Sequence, residues 1–421
     1  MVNSIMETFY RRWAEETLKK YVKLMRVVCV LGARQSGKST MLENAQIKAL
    51  YRTLDDENEL LASQDTEFYL KQFSEDTVII DEIQRALNLI LGIKRIVDKN
   101  SQPGQFVLTG SADYRKIPNA TESLAGRAAV IRMRPLSQAE IRGVSPNFLQ
   151  KLFSESFSPN DRVEALGKMK LFDLMLRGGF PEVQHFPQEH LSVWFSMYIQ
   201  NQIMRDLSLS STIRVKPNTV LQALQAMAFF SCAIKNVGEL AQETLVSRDT
   251  MDKYCSGMET LFLLDEIPAW TFNPIAGLRK KPKLVMADSG LVCHLLNIRH
   301  AETLLKGTTL QEQQFGRLVE TWVYGQIAPE IDTHTDWRLF HYRANEDAEV
   351  DFLVENDRGE LLGLEVKSRE TLKSDDFKGL KKFKEAFKGT KFIGVVLYPG
   401  DKIFRQADGF WAIPMSAMWS S

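Results

Sequence analysis

The chain has 421 residues, and its 53 basic side chains balance 53 acidic ones, so the formal net charge at neutral pH is zero. This balance excludes binding to nucleic acid through overall positive charge, and any basic surface must be local. The four cysteines form no CxxC pair, which excludes a zinc-ribbon pattern and is typical of a reduced compartment. No apolar run is long enough to span a bilayer, so the sequence predicts a soluble, cytoplasmic protein without membrane contact.

A glycine-rich stretch near the N-terminus fits the phosphate-binding pattern G-x-x-x-x-G-K-[ST]. Its residues are Gly32-Ala33-Arg34-Gln35-Ser36-Gly37-Lys38-Ser39-Thr40. An apolar run at residues 27–31 predicts a buried strand before it, and a helical pattern follows it. In such a loop the backbone N–H groups cradle phosphates, Lys38 reaches the β- and γ-phosphates, and Ser39 ligates Mg²⁺. The sequence therefore predicts a site for ATP and Mg²⁺.

Two later strands are expected to complete this site. The β-favouring residues 77–80 lead into Asp81, which is predicted to hold Mg²⁺ directly or through water, and Glu82, which is predicted to polarise the attacking water as general base. A third strand ends in the hydroxyls of Thr109 and Ser111, both candidates for contact with the γ-phosphate or the attacking water. Ser111 suits a helix N-cap equally well. Strands that alternate with helices predict an open α/β sheet with its ligands at the strand ends.

Arg127 precedes an alternating run at residues 128–134 that predicts the last strand of the ATPase core. Three roles for this arginine stay open. It could act on the γ-phosphate of a neighbouring subunit as an arginine finger, act as a sensor in its own subunit, or be an ordinary surface arginine. The sequence therefore leaves a homo-oligomer and a monomer equally open.

The middle of the chain predicts two helical units. Residues 146–215 are expected to form a helical lid over the nucleotide, with a hinge at Gly178-Gly179. Residues 216–287 have the helix and strand spacing of a winged helix-turn-helix. Its presumed recognition helix carries more acidic than basic side chains, so the basic run 279–283 is the better candidate for phosphate contact. A winged helix that serves only for packing is the alternative.

The C-terminal part carries a second constellation. Residues 349–355 and 361–367 predict two strands joined by a turn, across which Asp351, Glu365 and Lys367 can converge. The two carboxylates would bind Mg²⁺ or Mn²⁺, and the lysine would orient or help deprotonate a water that attacks a phosphodiester. This pattern resembles the D…ExK signature of restriction-endonuclease-like nucleases. Glu320, in a predicted helix, is similar in position to the additional helical acid of that superfamily. A surface Glu–Lys pair is the alternative.

Several motifs occur together in a fixed order along the chain. The glycine-rich loop is followed by Val-Ile-Ile-Asp-Glu-Ile-Gln, Leu-Thr-Gly-Ser, Ser-Leu-Ala-Gly-Arg and Arg-Pro-Leu-Ser-Gln-Ala-Glu. This set resembles the prokaryotic AAA-type ATPases that carry a C-terminal domain of unknown function. The resemblance implies ATP binding through Lys38, Ser39, Asp81 and Glu82. The loop departs from the usual family pattern in ways that are compatible with ATP binding.

The predicted fold class is therefore α/β, with a P-loop ATPase domain at 1–145, a helical lid at 146–215, a winged helix at 216–287 and a restriction-endonuclease-like domain at 288–421. The leading functional hypothesis is an ATPase whose C-terminal domain binds DNA or RNA and has Mg²⁺-dependent nuclease residues. The alternative is a signalling or scaffold ATPase whose nuclease-like domain is inactive and binds a protein partner.

Overall fold

The computed structural model describes residues 9–73, 76–113, 124–210, 216–244, 246–301, 304, 308–345 and 348–420. Within these residues the strands form a five-stranded, a three-stranded and a six-stranded sheet along the chain. None of the described helices combines the length and the hydropathy that a bilayer-spanning segment needs. The three sheets and the helices between them place the candidate functional residues.

The N-terminal sheet is parallel throughout and has the spatial order β2-β3-β4-β1-β5. Its strands are β1 Val27–Gly32, β2 Ala49–Thr53, β3 Thr77–Asp81, β4 Phe106–Gly110 and β5 Ala128–Met133. Every residue of β1 is buried, as expected of a parallel strand covered on both faces. Because all five strands run in one direction, the ends of β1, β3 and β4 meet at one edge, and the predicted α/β sheet is confirmed.

Helices pack on both faces of this sheet. They are α1 Ala14–Val22, α2 Lys38–Asn44, α3 Glu57–Ala62, α4 Thr66–Lys71, α5 Asn88–Lys99 and the short α6 Gln138–Ile141. The two faces of β1 belong to different hydrophobic clusters, with Cys29 and Leu31 on one side and Val28 and Val30 on the other. The strand that leads into the phosphate loop is therefore held rigidly from both sides.

A helical segment follows the sheet. Its helices are α7 Phe148–Phe153, α8 Gly167–Arg177, α9 Leu191–Tyr198 and α10 Met204–Ser210. After α8, the N–H of Gly179 donates to Asp288 Oδ2 at 2.6 Å, and its carbonyl accepts from the N–H of Leu136 at 2.6 Å. A Cβ at Gly179 would lie 2.4 Å from the Leu136 carbonyl oxygen. The glycine is needed for this close approach, so the structure does not support the predicted hinge at the pair.

The three-stranded sheet is antiparallel and has the order β6-β8-β7. The elements of this part are α11 Pro217–Phe229, β6 Ala233–Ile234, α12 Val237–Thr244, α13 Arg248–Thr260, β7 Leu264–Ile267, α14 Pro274–Gly277 and β8 Lys283–Met286. Between β7 and β8, Phe272, Ile275 and Leu278 are largely exposed. The adjoining residues 279–281 are exposed as well, whereas Lys283 is fully buried. The basic run predicted for the wing is thus divided between solvent and the interior.

The C-terminal sheet has the order β13-β14-β12-β11-β10-β9. The elements of this part are α15 Ser289–Leu295, α16 Thr309–Asp332, β9 Arg338–Asn345, β10 Ala348–Glu355, β11 Leu361–Val366, α17 Lys378–Ala386, β12 Phe392–Tyr398, β13 Phe404–Arg405 and β14 Trp411–Pro414. Strands β9, β10 and β11 are antiparallel neighbours. Helix α17 connects β11 to its parallel neighbour β12. The long helix α16 precedes this sheet and packs against both β8 and β11.

Buried charges join the three parts of the chain. Arg134, just after β5, donates to Asp265 Oδ2 on β7 and to the Tyr324 hydroxyl on α16, each at 2.8 Å, and it also pairs with Asp332. Arg132 lies 2.5 Å from the other oxygen of Asp265. Burial alone would raise the pKa of Asp265, but the two arginines hold it well below its usual range. The N-terminal sheet is therefore tied electrostatically to both later parts.

Candidate functional site

The phosphate loop has the backbone that its glycines require. A Cβ at Gly32 would lie 2.0 Å from the carbonyl oxygen of Met133, so only glycine fits where β1 approaches β5. Gly37 has φ +89°, and Gln35 also lies in the left-handed region at φ +60°. The loop then runs directly into α2, which begins at Lys38. This strand, loop and helix order directs backbone N–H groups toward one concave surface.

Two side chains of the loop have donor groups that can bind an anionic ligand. The Lys38 ammonium is buried and donates to the carbonyl oxygens of Gly32 and Ala33, each at 3.0 Å. Burial lowers its pKa, which Glu82 and Asp81 counteract. The Ser36 hydroxyl is fully buried and has no hydrogen-bond partner among the described residues. A buried cation and an unused hydroxyl donor fit a ligand rich in phosphate oxygens.

The oxygen ligands expected for Mg²⁺ meet at the end of β3. The Ser39 hydroxyl donates to Asp81 Oδ2 at 2.9 Å, which brings together the two predicted metal ligands from the loop and the strand. The Tyr51 hydroxyl donates to the same carboxylate oxygen at 2.5 Å. The hydroxyl of Thr109 donates to the other oxygen, Oδ1, and accepts from the N–H of Glu82 at 3.2 Å. A hydroxyl and a carboxylate are hard oxygen donors, so this pair fits Mg²⁺.

Glu82 directly follows Asp81, one of the two predicted metal ligands. Its backbone has φ +59°, which is uncommon for a residue other than glycine. Its carboxylate accepts from the Gln84 amide and from the Ser111 hydroxyl, the latter at 3.3 Å. Burial raises its pKa, while nearby Lys38 lowers it. A buried carboxylate with a raised pKa is a better proton acceptor near neutral pH, as a general base requires.

Arg34 connects this carboxylate to the helical segment. Its guanidinium lies 3.9 Å from Glu82 Oε2 and 3.2 Å from Asp206 Oδ2 on α10, and it donates to Gln202 Oε1 at 2.9 Å. Gln202 belongs to a single π-helical turn, Ile199–Ile203, between α9 and α10. Such turns are rare and often occur at functional sites. The helical segment therefore contacts the phosphate loop through an arginine that also faces the predicted base, and further through Gln35, which donates to Glu182, and the Arg34 carbonyl, which accepts from Tyr198.

Arg12 supports the loop from below and was not singled out by any sequence motif. Its buried guanidinium donates to the carbonyl oxygens of Ser36 at 2.6 Å and Arg134 at 2.7 Å, and it pairs with Glu140 at 3.0 Å. All three contacts are to residues of the ATPase part. Arg12 thus fixes the loop backbone and connects it to Arg134, whose side chain pairs with Asp265 and Asp332.

Two of the predicted catalytic residues take other positions. The hydroxyl of Thr109 is engaged by Asp81 and Glu82, so it orients those residues instead of facing the γ-phosphate. Arg127 lies beside Val27, at the opposite end of β1 from the loop, which is about 16 Å away for five residues of strand. It pairs there with Asp98. This position gives no support to the predicted sensor role in its own subunit. The N-cap alternative for Ser111 concerns residues 114–123, which lie outside the described residues.

The predicted C-terminal residues do converge. Glu320 on α16, Asp351 on β10, and Glu365 and Lys367 at the end of β11 line one cavity of about 530 Å³. Lys367 Nζ lies 2.7 Å from Glu365 Oε1. Burial raises the pKa of Glu320 to about 8, and burial followed by repulsion from Asp351 raises that of Glu365 well above its usual range. The second oxygen of Glu365 has no partner among the described residues.

The arrangement of side chains in this C-terminal cluster does not fit the predicted Mg²⁺ or Mn²⁺, however. Lys283 of β8 enters the cluster from below, and its buried ammonium lies 3.2 Å from Glu320 Oε2 and 3.3 Å from Asp351 Oδ1. Within the described part of the chain, no group of three His, Cys, Asp or Glu side chains is arranged to hold a metal ion. The prediction that Asp351, Glu365 and Glu320 bind Mg²⁺ together is therefore not met in this conformation.

Three segments of the chain match known protein families. Residues 25–142 match the family described as "AAA domain". Residues 168–302 and 315–418 match two families described as "Domain of unknown function", DUF8612 and DUF4143 respectively. The resemblance to AAA-type ATPases with a C-terminal domain of unknown function is thus confirmed for these segments. The matches do not indicate a restriction-endonuclease-like core.

Similar whole proteins are also known. The "Uncharacterized protein Rv2008c" of Mycobacterium tuberculosis is 26% identical over 408 residues, which cover 96% of this chain and 83% of that protein. Among solved structures, the Walker-type ATPase PABY2304 of Pyrococcus abyssi is 16% identical, with a TM-score of 0.43, over 69% of this chain and 97% of that chain. DnaA from Aquifex aeolicus, bound to AMPPCP, is 13% identical, with a TM-score of 0.29, over 58% of this chain and 85% of its own. The family match and the loop geometry together support an AAA-type P-loop ATPase domain at residues 25–142.

Proposed function

We propose that the protein is an ATP-hydrolysing switch whose nucleotide state is transmitted to a nucleic-acid-binding C-terminal half. The observation that carries the ATPase part is the hydrogen bond between Ser39 and Asp81, with Lys38 and Glu82 beside it. These four side chains supply phosphate binding, metal ligation and a base at one edge of the sheet. The segments 1–145, 146–215, 216–287 and 288–421 serve as the ATPase, helical, winged-helix and C-terminal units of this proposal.

Each residue has a chemical task in this proposal. Lys38 leaves the carbonyl oxygens of the loop and donates to phosphate oxygens when ATP binds. Ser39 and Asp81 would hold Mg²⁺, which would offset negative charge on the phosphates. Glu82 accepts a proton from the attacking water. Thr109 holds Asp81 in place through its hydroxyl.

The switch needs a physical route from the loop to the rest of the chain. Arg12 bonds to the carbonyls of Ser36 and Arg134, and the Arg134 side chain bonds to Asp265 on β7 and Asp332 on α16. A displacement of the loop backbone on nucleotide binding would therefore act on two later elements through a contiguous set of charged contacts. Helix α16 also carries Glu320 of the C-terminal cluster.

The order of elements from α11 to β8 supports a winged helix. Its helix α13 carries acidic side chains, whereas the loop before β8 exposes Arg279, Lys280 and Lys281. These three cations adjoin the exposed apolar side chains of Phe272, Ile275 and Leu278. A cluster of basic side chains on a projecting loop suits contact with the phosphate backbone of DNA or RNA.

The C-terminal topology, three antiparallel strands followed by a helix and a parallel strand, is compatible with the proposed restriction-endonuclease-like core. Metal-dependent cleavage has no support from this arrangement, because Lys283 lies among the carboxylates. We therefore propose nucleic-acid binding as the function of this half and derive no cleavage step. The scaffold alternative has no observation that favours it.

Retention of labelled DNA and RNA on filters tests nucleic-acid binding. Wild-type protein is expected to retain at least one nucleic acid at low salt, with retention that falls steeply as salt rises. Changing Arg279, Lys280 and Lys281 together to glutamine should reduce the slope of log affinity against log salt by about 2 to 3, since each lost phosphate contact contributes about 0.9. The control changes the exposed Lys20 and Lys23 to glutamine and should leave the slope unchanged. Absence of retention, or an unchanged slope in the triple variant, would contradict the proposal.

A further inference from the structure

Lys283 is the most deeply buried cation near the C-terminal cluster. It is the first residue of β8, and its side chain is 0% exposed. Its Nζ atom lies 3.2 Å from Glu320 Oε2, 3.3 Å from Asp351 Oδ1 and 3.8 Å from Glu349 Oε1. The carbonyl oxygen of Asp351 is 3.4 Å away. One ammonium group is thus surrounded by oxygen atoms from α16 and β10.

Such a shell is close in composition to the one that a hard divalent cation prefers. Ca²⁺ and Mg²⁺ bind carboxylate and carbonyl oxygens, but at about 2.0 to 2.6 Å. The distances around Lys283 are those of hydrogen bonds to an ammonium group. Three carboxylates and one carbonyl oxygen lie within ion-pairing or hydrogen-bonding distance of Nζ, so the lysine side chain takes the place of the cation in this shell.

Two other cations that line the cavity have carboxylate partners of their own. Lys367 pairs with Glu365 at 2.7 Å, and Arg343 lies 3.6 Å from Glu349. Within the part of the chain that the structure describes, Lys283 is the cation that Glu320 and Asp351 share. Without it, the buried Asp351 would lose the cation that lies nearest its Oδ1 atom, and burial of a carboxylate without a partner is costly.

We propose that Lys283 is a built-in cation that occupies a latent divalent-metal site formed by Glu320 and Asp351. The site is closed to Mg²⁺ and Mn²⁺ in this conformation, because the ammonium group takes the space and the charge that the metal would need. Replacing Lys283 with a residue that has no ammonium group opens the site to the metal. This inference does not depend on ATP hydrolysis or on nucleic-acid binding.

Strand β8 holds Lys283 in the position that closes the site. Its backbone pairs with Ile234 of β6 and Ile267 of β7, so the cation is held by a sheet that is separate from the sheet carrying Asp351. The exposed loop 279–281 lies immediately before it. Strand β8 therefore connects the exposed loop 279–281 to the lysine that closes off the carboxylates of Glu320 and Asp351.

Mn²⁺ binding in the absence of nucleotide tests the proposal, with free Mn²⁺ measured by electron paramagnetic resonance. Wild-type protein and Asp351→Asn should give the same titration, since the site is closed in both. Lys283→Met removes the charge at similar length, and it should gain one Mn²⁺ site at least about tenfold tighter than any in wild type. Adding Asp351→Asn to Lys283→Met should abolish the gain. Lys283→Arg keeps the charge and should not gain a site.

Thermal unfolding provides a second readout. Lys283→Met should unfold at a lower temperature than wild type, and Mn²⁺ should raise its Tm but not that of wild type, because a ligand that binds only the folded state stabilises it. Two results would overturn the proposal. One is a folded Lys283→Met variant that gains no site. The other is a wild-type titration that weakens when Asp351 is changed, and this comparison stays decisive even where Lys283→Met does not fold.

Discussion

Replacing Glu82 with glutamine is expected to reduce ATP turnover by at least about 100-fold while leaving ATP affinity within a few-fold of wild type. General base catalysis by a positioned side chain contributes about 10² to 10⁴ in rate, and an amide cannot accept the proton. The substitution keeps the size of the side chain and its hydrogen-bonding partners Gln84 and Ser111. Phosphate release and equilibrium binding, measured separately, distinguish the two effects.

The pH dependence of turnover gives a further test of Glu82. Burial raises the pKa of this carboxyl, so the protonated, inactive form persists to a higher pH than for an exposed glutamate. Turnover should therefore fall as pH decreases through that raised pKa, and this acid limb should be absent in the residual activity of the glutamine variant. Glu67→Gln, on the exposed face of α4, is the matched control and should keep the rate and the limb. Equal turnover in wild type and Glu82→Gln would exclude the assigned base.

Replacing Arg134 with methionine is expected to destabilise the protein by about 3 kcal/mol. The arginine side chain is largely buried, at 12% exposed; its removal leaves the more exposed Asp332 without this partner and the buried Asp265 with only Arg132 and Tyr324. Removing one partner of a largely buried pair is costly because the remaining carboxylates lose compensation in a poorly solvated site. Urea unfolding followed by tryptophan fluorescence measures the change.

Two comparisons make the Arg134 prediction specific. Arg127→Met removes an arginine whose partner Asp98 is on the surface, and it should change the unfolding midpoint little. Asp265→Asn should cost less in the Arg134→Met background than in wild type, because the two residues share one interaction. If Arg134→Met is no more destabilising than Arg127→Met, the network does not hold the three parts together.

The nucleotide site was predictable because its signals are local. The loop 32–40 has a fixed spacing of glycines, lysine and hydroxyl, and the acids at 81–82 follow an apolar strand. A parallel sheet then brings the two segments together, since all its strands end at the same edge. Residues that support the site from a distance have no such signal. Arg12 contacts Ser36 across 24 positions and Tyr51 contacts Asp81 across 30, and only the folded chain reveals either contact.

The C-terminal cluster illustrates a different limit. The alternation of strand residues correctly brought Asp351, Glu365 and Lys367 to one cavity. The same sequence gave no indication that Lys283, in a run of basic residues, would be buried beside them. Residues 279–281 are exposed in the loop, but the run enters β8 at Lys283, where the side chain points inward. Charge composition cannot distinguish these environments, because strand register decides which side chain is buried.

Equilibrium binding of a non-hydrolysable ATP analogue to wild type and Lys38→Ala tests the central claim most directly. Wild-type protein should bind the analogue at one saturable site, more tightly with Mg²⁺ than with a chelator. Lys38→Ala should weaken binding by at least about tenfold, because a charged hydrogen bond to phosphate contributes about 1.5 to 3 kcal/mol. Lys48→Ala, which removes an exposed lysine ten positions later, should bind as wild type does. Unchanged affinity in Lys38→Ala, or no binding by wild type, would contradict the nucleotide site on which the account rests.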